Sequence, residues 1–438
     1  MKKAVSIVLV LVLLVLSLAS CCIPGANDDQ DVDGGSNDAG NTDNGNTDNG
    51  DADDGEGEVI IPTSLKINSS DISEYTIIYA YNPDRDLYAK YSTLVTQDTE
   101  YDKQTAENLA ALIKQHFGVT VPVKRDGEQI QGGKEIIIGS TDRGLVESVM
   151  NGFSSVKDYN VRETNGNIVI CGASYGATWH AAEDFISDVL AQNSDTAKVG
   201  TGYKLAAKAK MLVVGCIGDS LTNGSASGSS SSITNTDTRR KIVSYPAVLQ
   251  RLEWKDMVVY NYGQGSRTMT ENFIWQDKEP GDHAWNKSIY YEPCMQNAAN
   301  IDLALIMLGT NDANENRANL TGYAFGTSKY KNAFIQSCQN IVNDLRAKNP
   351  NMSVALLNCP EAPGHSFEMN MQLYIRTYQK AAAEKIGIPL LDMYSYTHEN
   401  MTIADFPDNC HPSDAGYTKF AIGIDQLIKP IVDELLAK

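Results

Sequence analysis

Positive charge is scarce in this sequence. Its 438 residues include 36 Lys and Arg against 55 Asp and Glu, which gives a formal net charge of −19 and a pI near 4.7. No basic stripe runs along the chain, and this excludes nucleic acid as an expected partner, because phosphate binding needs clustered Lys and Arg. Residues 27–58 hold twelve acids and no Lys or Arg, so most of the net negative charge lies in one segment.

Near the N-terminus, no apolar run is long enough for an ordinary membrane span. Residues 4–18 are nearly all apolar, but a spanning helix needs ~20 such residues. The run follows Lys2 and Lys3 and ends in "LASC" at Cys21, the layout of an export signal. It resembles a bacterial lipobox, and this resemblance implies lipidation of Cys21 and a lipid-anchored protein that faces the cell exterior or the periplasm. A plain membrane-spanning anchor is the alternative.

Residues 22–58 contain almost nothing that could form a core, and they repeat "NTDNG". This composition predicts a solvated, self-repelling linker. Calcium binding by its aspartates is the alternative, although their spacing lacks the register of a calcium loop.

The cysteines include no C-x-x-C pair, and seven remain once Cys21 is set aside, so at least one is unpaired within the chain. Cys171, Cys216 and Cys359 lie in apolar runs and are expected to be buried.

Residues 59–206 predict a smaller α/β domain. Strand-like runs are "YTIIYA", "EIIIGS" and "NIVICG", and the helical pattern "TAENLAALIKQHFG" ends at Gly118. A second helix is expected to begin near Gly176. The segments "IIIGSTDR" and "DYNVRETNGNIVICG" resemble the N-terminal accessory domain of α-glucuronidases. Trp179 and His180 could line a ligand groove, but a lone Trp or His in a helix more often packs on its own sheet.

Residues 207–438 predict a second, larger α/β domain. Five apolar runs alternate with helical stretches; the runs are "MLVVGCIG", "DMVVYNYG", "DLALIMLG", "SVALLNCP" and "IPLLDMY". Strands without a polar face belong to a parallel sheet that is covered on both sides. The expected fold is a three-layer, doubly wound, five-stranded parallel sheet, whose functional residues gather at the carboxyl ends of the strands.

Chemically suggestive residues follow these strands. They are "GDS" at Ser220, "NYGQGSRT", "GTND" with Asn311, and "DNCHPSDAGY", in which Asp408 stands three residues before His411. A serine hydroxyl needs an oriented base to become a nucleophile, and the oxyanion that then forms needs fixed donors. Each motif alone is weak, since "GTND" could be a turn and Asp408 or Ser413 a helix cap. In this order, at four strand or loop ends, they predict an active site.

From about residue 211 to 438 the sequence resembles the SGNH superfamily, also called the GDSL hydrolases. The resemblance implies a flavodoxin-like fold with Ser220 as nucleophile, His411 as general base and Asp408 as the carboxylate that orients the imidazole. It also implies an oxyanion hole formed by the Ser220 N–H, a backbone N–H of the second motif and the Asn311 side-chain amide. The family presents its serine on a short helical turn rather than a nucleophile elbow, so the absence of a G-x-S-x-G motif is expected. No cofactor or metal is implied.

The second motif departs from the family. The family pattern N-x-G-x-x-G, counted from Asn261, places its last glycine at Ser266, with Gly265 just before it. Because the donor is a backbone N–H, either Gly265 or Ser266 could supply it. Asp219 is expected to cap or brace the turn rather than react. Four further histidines are predicted to be non-catalytic, namely His116, His283, His365 and His398.

Residues 271–297 form a long insertion after the second motif. It contains Trp275, Trp285, Tyr290 and Tyr291, which could stack on a sugar or equally form a packed lid.

The sequence as a whole predicts an exported serine esterase acting through an acyl-enzyme on O-acetylated polysaccharide. A lipase or thioesterase is one alternative, and a catalytically inert carbohydrate-binding surface lipoprotein is another. Membrane contact is expected only through the lipid anchor.

Overall fold

The computed structural model describes residues 59–81, 100–127, 133–226, 233–271, 282–314 and 324–438. The export signal with Cys21, the acidic linker and Trp275 lie outside the described residues. Within these ranges, no helix combines the length and the apolar character needed to cross a membrane.

Strands and helices alternate along most of the described chain. The strands are β1 (Ser64–Ile67), β2 (Ser70–Asp71), β3 (Tyr75–Tyr79), β4 (Val123–Arg125), β5 (Lys134–Ile138), β6 (Asp158–Thr164), β7 (Asn167–Gly172), β8 (Thr196–Val199), β9 (Lys204–Lys208), β10 (Leu212–Gly218), β11 (Met257–Gly263), β12 (Leu303–Met307), β13 (Ser353–Leu357) and β14 (Leu390–Leu391). The helices are α1 (Glu100–Phe117), α2 (Val146–Met150), α3 (Tyr175–Leu190), α4 (Ser220–Asn223), α5 (Thr236–Ile242), α6 (Tyr245–Leu252), α7 (Tyr291–Asn297), α8 (Ser328–Lys348), α9 (Glu368–Asn370), α10 (Arg376–Ile386), α11 (Met393–Asn400) and α12 (Asp414–Ala437). A π-helical turn, Met371–Ile375, joins α9 to α10.

The C-terminal sheet has the order β11-β10-β12-β13-β14, and all neighbouring strands are parallel. Val213 and Ile217 of β10 belong to a core that includes α8 and α10, while Val214 and Cys216 pack on the opposite face with α6 and α12. Every residue of β10 and β11 is buried, as expected for strands covered on both faces. The predicted three-layer, five-stranded parallel sheet is therefore confirmed, with β10 at its topological switch point.

The N-terminal region is also α/β, with a mixed six-stranded sheet in the order β4-β3-β5-β7-β6-β9. Strands β4, β3, β5 and β7 are parallel, whereas β6 runs antiparallel to β7 and β9. The β6–β7 turn uses Asn165 and Gly166 at φ 53° and 85°, as a two-residue hairpin of this twist requires. A smaller sheet, β2-β1-β8, completes this region.

Trp179 and His180 lie against residues 254–256 of the C-terminal half, with His180 Nε2 3.9 Å from Asp256 Oδ1, so the prediction that they pack on the sheet is wrong. The Trp179 ring meets Trp254 edge-on at 5.3 Å and lies 3.7 Å below the Lys255 ammonium. A Cβ at Gly176 would lie 2.7 Å from the carbonyl oxygens of Trp254 and Lys255, so α3 approaches that backbone closely. The face of α3 toward its own sheet is already occupied by Ala177, Ala181 and Phe185, which are fully buried.

The six cysteines of the described residues are buried and free, as predicted for Cys171, Cys216 and Cys359. Burial raises the pKa of the Cys216 and Cys359 thiols to about 12. Thiols with such pKa values are unreactive near neutral pH and contribute as small apolar side chains.

Candidate active site

The nucleophile turn follows β10 and carries Ser220. Gly218 ends the strand, and a Cβ there would lie 2.0 Å from Thr222 Oγ1, so only glycine lets the next helix start this close. Asp219 caps α4, since its Oδ1 accepts a hydrogen bond from the Leu221 N–H at 3.0 Å. This confirms the expected bracing role of Asp219. Ser220 is then the first helical residue, and its hydroxyl is not used for capping.

Three side chains form a hydrogen-bond chain that begins at this serine. His411 Nε2 lies 2.9 Å from Ser220 Oγ, and His411 Nδ1 lies 2.8 Å from Asp408 Oδ2. The other carboxylate oxygen, Asp408 Oδ1, accepts the backbone N–H groups of His411 at 2.6 Å and Cys410 at 3.0 Å. Ser413, not Asp408, caps the last helix through the Gly416 N–H. The D-x-x-H spacing thus places Asp408 against the imidazole.

Asp408 is ionised at neutral pH. Burial raises the pKa of this carboxyl, but hydrogen bonds from the backbone and ring of His411 and from Cys410 outweigh that effect and bring the pKa below its ordinary value. A carboxylate facing Nδ1 favours the tautomer in which that nitrogen carries the proton. Nε2 is then left as a base toward Ser220, which is the arrangement that activates a serine hydroxyl.

The second turn, residues 264–267, follows β11 beside Ser220. The Gln264 N–H donates to the Gly218 carbonyl at 3.1 Å and so aligns the two strand ends. A Cβ at Gly265 would lie 4.0 Å from Ser220 Cβ, which places this glycine directly against the nucleophile. Ser266 has φ 63°, in the left-handed region that favours glycine. Among the described residues, the N–H groups of Gly265 and Ser266 have no acceptor.

The third turn, after β12, joins the first two. Asn311 Nδ2 donates to Asp219 Oδ2 at 3.3 Å and to the Arg267 carbonyl at 3.0 Å. Asp312 is fully buried and accepts the N–H groups of Met269 and Thr270 at 2.8 and 3.0 Å. The Asn311 amide therefore lies between the nucleophile turn and the second turn. To donate to an oxyanion, the amide must exchange one of these hydrogen bonds.

The described aromatic residues of the insertion are packed rather than presented as a stacking surface. Trp285 is fully buried, and its Nε1 donates to the Tyr262 carbonyl at 3.0 Å. The Tyr291 hydroxyl donates to Asp344 at 2.9 Å, and the Tyr290 ring lies against the Arg240 guanidinium. For these three residues the structure favours the packed lid over sugar stacking.

The other histidines do not enter the hydrogen-bond chain of Ser220. His283 Nδ1 lies 3.2 Å from the Ser266 carbonyl, so this residue contacts the second turn from the insertion. His398 pairs with Glu361 at 3.1 Å, and His365 packs on Phe367 with 3.6 Å between ring centres. Among the residues that the structure describes, no group of three or more His, Cys, Asp or Glu side chains could hold a metal ion.

Sequence reasoning overlooked two features. Residues 172–176, "GASYG", match G-x-S-x-G at the turn from β7 to α3, the setting of a nucleophile elbow. Ser174 there is 4% exposed; its Oγ donates to the Val156 carbonyl at 2.8 Å and accepts the Ala177 N–H at 3.2 Å. It is a helix cap.

Arg240 was also overlooked, because the basic run "RRK" on a short helix is typical of an exposed face, whereas this arginine is buried.

An α/β sheet with a Ser-His-Asp chain at the carboxyl edge of its strands defines a serine hydrolase site. Residues 216–419, which contain Ser220, Asn311, Asp408 and His411, match the model of the GDSL-like Lipase/Acylhydrolase family. These residues form a GDSL-like (SGNH) hydrolase domain, and the protein is a serine ester hydrolase.

Several solved esterase structures resemble the chain over about half of its length. An aryl esterase from M. smegmatis is 19% identical, with 50% of this chain and 99% of that one covered and a TM-score of 0.36. A carbohydrate acetylesterase family member from Sinorhizobium meliloti is 20% identical, with coverages of 52% and 100% and a TM-score of 0.37. An acetylxylan esterase from Geobacillus stearothermophilus is 19% identical, with coverages of 50% and 94% and a TM-score of 0.34. No curated protein sequence matches the chain.

Proposed function

We propose that this protein is an exported, lipid-anchored esterase that removes O-acetyl groups from polysaccharide through an acyl-enzyme. The observation that carries the catalytic part is the continuous chain Ser220 Oγ–His411 Nε2–Asp408, with contacts of 2.9 and 2.8 Å. Such a chain supplies nucleophile, base and orienting carboxylate together.

In the first half of the proposed reaction, Ser220 Oγ attacks the ester carbonyl carbon while its proton moves to His411 Nε2. The Asp408 carboxylate stabilises the imidazolium that forms. The resulting oxyanion is held by the Ser220 N–H, by an N–H of the second turn and by the Asn311 amide. When the tetrahedral intermediate collapses, the bond to the sugar oxygen breaks, and His411 returns the proton to that oxygen as the sugar hydroxyl leaves.

In the second half, water attacks the acetyl-Ser220 carbonyl while His411 accepts the water proton. Collapse of the second tetrahedral intermediate breaks the bond to Ser220 Oγ, which takes back the proton, and acetate leaves. Ser266 is the stronger candidate for the second-turn donor, because its left-handed φ of 63° matches the glycine that the family has at this position. Gly265 is the alternative donor, and a Cβ at this residue would lie 4.0 Å from Ser220 Cβ.

Two observations support a small acyl group on a carbohydrate. Among the described residues, the strand ends beside the nucleophile turn place Gly265, the Asn311 amide and the Arg267 carbonyl there, which are small or polar groups. The resemblance of residues 59–206 to an accessory domain of α-glucuronidases also associates the chain with polysaccharide. A long-chain lipase or thioesterase would share the triad but would need an apolar acyl site.

Substrate class is tested by acetate release from acetylated xylan, pectin and peptidoglycan, together with 4-nitrophenyl esters of increasing acyl length. We expect acetate from at least one glycan and the highest kcat/KM for the acetyl ester, with Ser220→Ala as the inactive control. A kcat/KM that rises with acyl length would favour the lipase alternative. A folded protein that hydrolyses none of these esters would favour the inert carbohydrate-binding alternative.

Lipid anchoring is tested at Cys21, which lies at the expected cleavage point of the signal. Cys21→Ala should abolish incorporation of a labelled fatty acid and release the protein from the membrane fraction. Cys22→Ala is the matched control, because it removes the adjacent thiol and should leave labelling intact. Labelling that persists in Cys21→Ala would rule out the lipobox interpretation.

A further inference from the structure

Arg240 connects the two turns that form the candidate site. It lies on α5, is 8% exposed, and its guanidinium donates to Asn223 Oδ1 at 2.7 Å and to the backbone carbonyls of Asn261 and Gly263. Asn223 is the last residue of the helix that begins with Ser220, and Gly263 is the last residue of β11 before the second turn. One side chain therefore holds both the nucleophile helix and the strand that leads to residues 264–267.

No carboxylate forms a salt bridge with Arg240 within the described ranges. Its partners are three neutral oxygens and the face of the Tyr290 ring, 3.9 Å from the guanidinium carbon. Burial lowers the pKa of this guanidinium, yet arginine stays protonated because its pKa starts so high. A buried cation without an anionic partner is costly unless its donors are all satisfied. The planar guanidinium donates to these three acceptors from fixed N–H directions, and a lysine ammonium cannot reproduce that geometry.

The position of the second turn depends on the carbonyls that Arg240 holds. The Gly263 carbonyl belongs to the same peptide unit as the Gln264 N–H, which donates to the Gly218 carbonyl at 3.1 Å. The Asn261 side chain adds a parallel connection, because its Nδ2 donates to the Thr222 carbonyl at 2.9 Å and its Oδ1 accepts the Gly263 N–H at 3.0 Å. Movement of the guanidinium would therefore shift Gly265 and Ser266 relative to Ser220.

We propose that Arg240 is a positioning residue that sets the separation between Ser220 and the oxyanion donors of the second turn. This proposal rests on the proposed function, since it assumes that Ser220 attacks an ester and that the second turn binds the oxyanion. Arg240 acts through Asn223 and through the carbonyls of Asn261 and Gly263, and it does not touch the substrate. Tyr290 covers the guanidinium and thereby connects the insertion to the same network.

The test is Arg240→Lys in the full chain, with Arg251→Lys as the matched control. Arg251 lies on α6 and donates to the Ile242 carbonyl at the end of α5, the helix that carries Arg240. Three quantities are measured: kcat and KM for 4-nitrophenyl acetate, Ki for an alkylboronic acid, which forms a tetrahedral anionic adduct with an active serine, and the thermal midpoint. The boronic acid reports on the oxyanion site separately from substrate binding.

Arg240→Lys should lower kcat by ~10- to 100-fold, because small errors in the placement of reacting groups cost about that much. Ki should rise by a similar factor, while KM stays within about twofold of its wild-type value. For the Arg251→Lys enzyme, kcat, KM and Ki should all stay within about twofold of the wild-type values. A folded Arg240→Lys enzyme with unchanged kcat and Ki would overturn the proposal. So would a loss of kcat with unchanged Ki, because the oxyanion site would then be intact.

Should Arg240→Lys fail to fold, Asn223→Ala decides the question. It removes the acceptor on the nucleophile helix and leaves both carbonyl contacts of Arg240 in place. A parallel change of kcat and Ki by about tenfold supports the positioning role, and unchanged values overturn it. Wild-type hydrolysis with an inactive Ser220→Ala protein tests the proposed function independently, so failure of the Arg240 proposal is distinguishable from failure of the function.

Discussion

Ser174 and Ser220 each lie on a turn from a strand to a helix, and the two serines have different roles. Ser174 follows β7 and Ser220 follows β10, and each comes two residues after the glycine that ends its strand. Both glycines permit a close approach, since a Cβ at Gly172 would lie 2.5 Å from the Ala177 carbonyl carbon and one at Gly218 would lie 2.0 Å from Thr222 Oγ1. The local geometry of strand and helix is thus closely similar.

The difference lies in which residue caps the helix. At the N-terminal turn Ser174 is itself the cap, and its buried hydroxyl accepts the Ala177 N–H and donates to the Val156 carbonyl. At the C-terminal turn Asp219 is the cap, so the hydroxyl of Ser220 is left to His411. The turn with the G-x-S-x-G pattern is the one without a base. A serine motif therefore indicates a nucleophile only where another residue satisfies the helix terminus and a base reaches the hydroxyl.

Ser220→Ala gives the largest expected effect and tests this comparison directly. Loss of the nucleophile should reduce kcat for ester hydrolysis by about 10⁶-fold, as in other serine hydrolases. Stability should hardly change, because the Ser220 hydroxyl does not cap α4. Hydrolysis of 4-nitrophenyl acetate and the thermal midpoint are measured together. Substantial activity in a folded variant would remove the distinction between the two serines.

Asn311→Ala should have the next largest effect. Loss of one oxyanion donor should lower kcat by ~10²–10³-fold and change KM much less. The same substitution removes the contacts with Asp219 and the Arg267 carbonyl, so the thermal midpoint is measured in parallel. A normal kcat would show that Asn311 only braces the turns.

Ser266→Pro should impair both activity and stability. Proline removes the N–H and fixes φ near −65°, whereas this position has φ 63°. We expect kcat to fall by about 10²-fold, comparable with the loss of another oxyanion donor, together with a lower thermal midpoint. A folded Ser266→Pro enzyme with normal kcat would assign the second-turn donor to Gly265 or eliminate it.

Ser174→Ala should lower the free energy of unfolding and should not affect esterase activity. Loss of an N-cap side chain typically costs about 1 kcal/mol of unfolding free energy. The kcat and KM values should match those of the wild type, because Ser174 contacts Val156 and Ala177 rather than the triad. Denaturant unfolding followed together with kinetics provides the measurement. A marked drop in kcat would mean that the two turns are not functionally distinct.

Ser266→Gly should have the smallest effect. Only the amide of this residue is assigned a role, so kcat should stay within about twofold of wild type. Glycine relieves a left-handed conformation that costs other residues roughly 1 kcal/mol, so stability should stay equal or rise slightly. Kinetics and the thermal midpoint of this variant are the readouts. A large loss of kcat would implicate the Ser266 hydroxyl itself.

Much of the fold follows from local sequence pattern. The runs that predict β7, β10 and β11 agree with the observed strands to within a residue, because each is apolar nearly throughout and ends at glycine. The short strand β14 covers only Leu390 and Leu391 of its predicted run, since pairing with β13 extends over just two residues. Trp179 could not be placed from sequence, because its neighbours, Trp254 and Lys255, belong to the other half of the chain.

The sequence by itself determined the order of the strands and helices, the serine, carboxylate, amide and imidazole at their ends, and the role of Asp219 as a cap. These depend on side chains a few positions apart. Only the tertiary structure decided which serine meets a base, where the Asn311 amide donates and that Arg240 is buried between two turns. Ser220 and His411 are 191 positions apart, and they meet because parallel strands bring their carboxyl ends to one edge. No local sequence pattern predicts a contact between two residues that are so far apart in the chain.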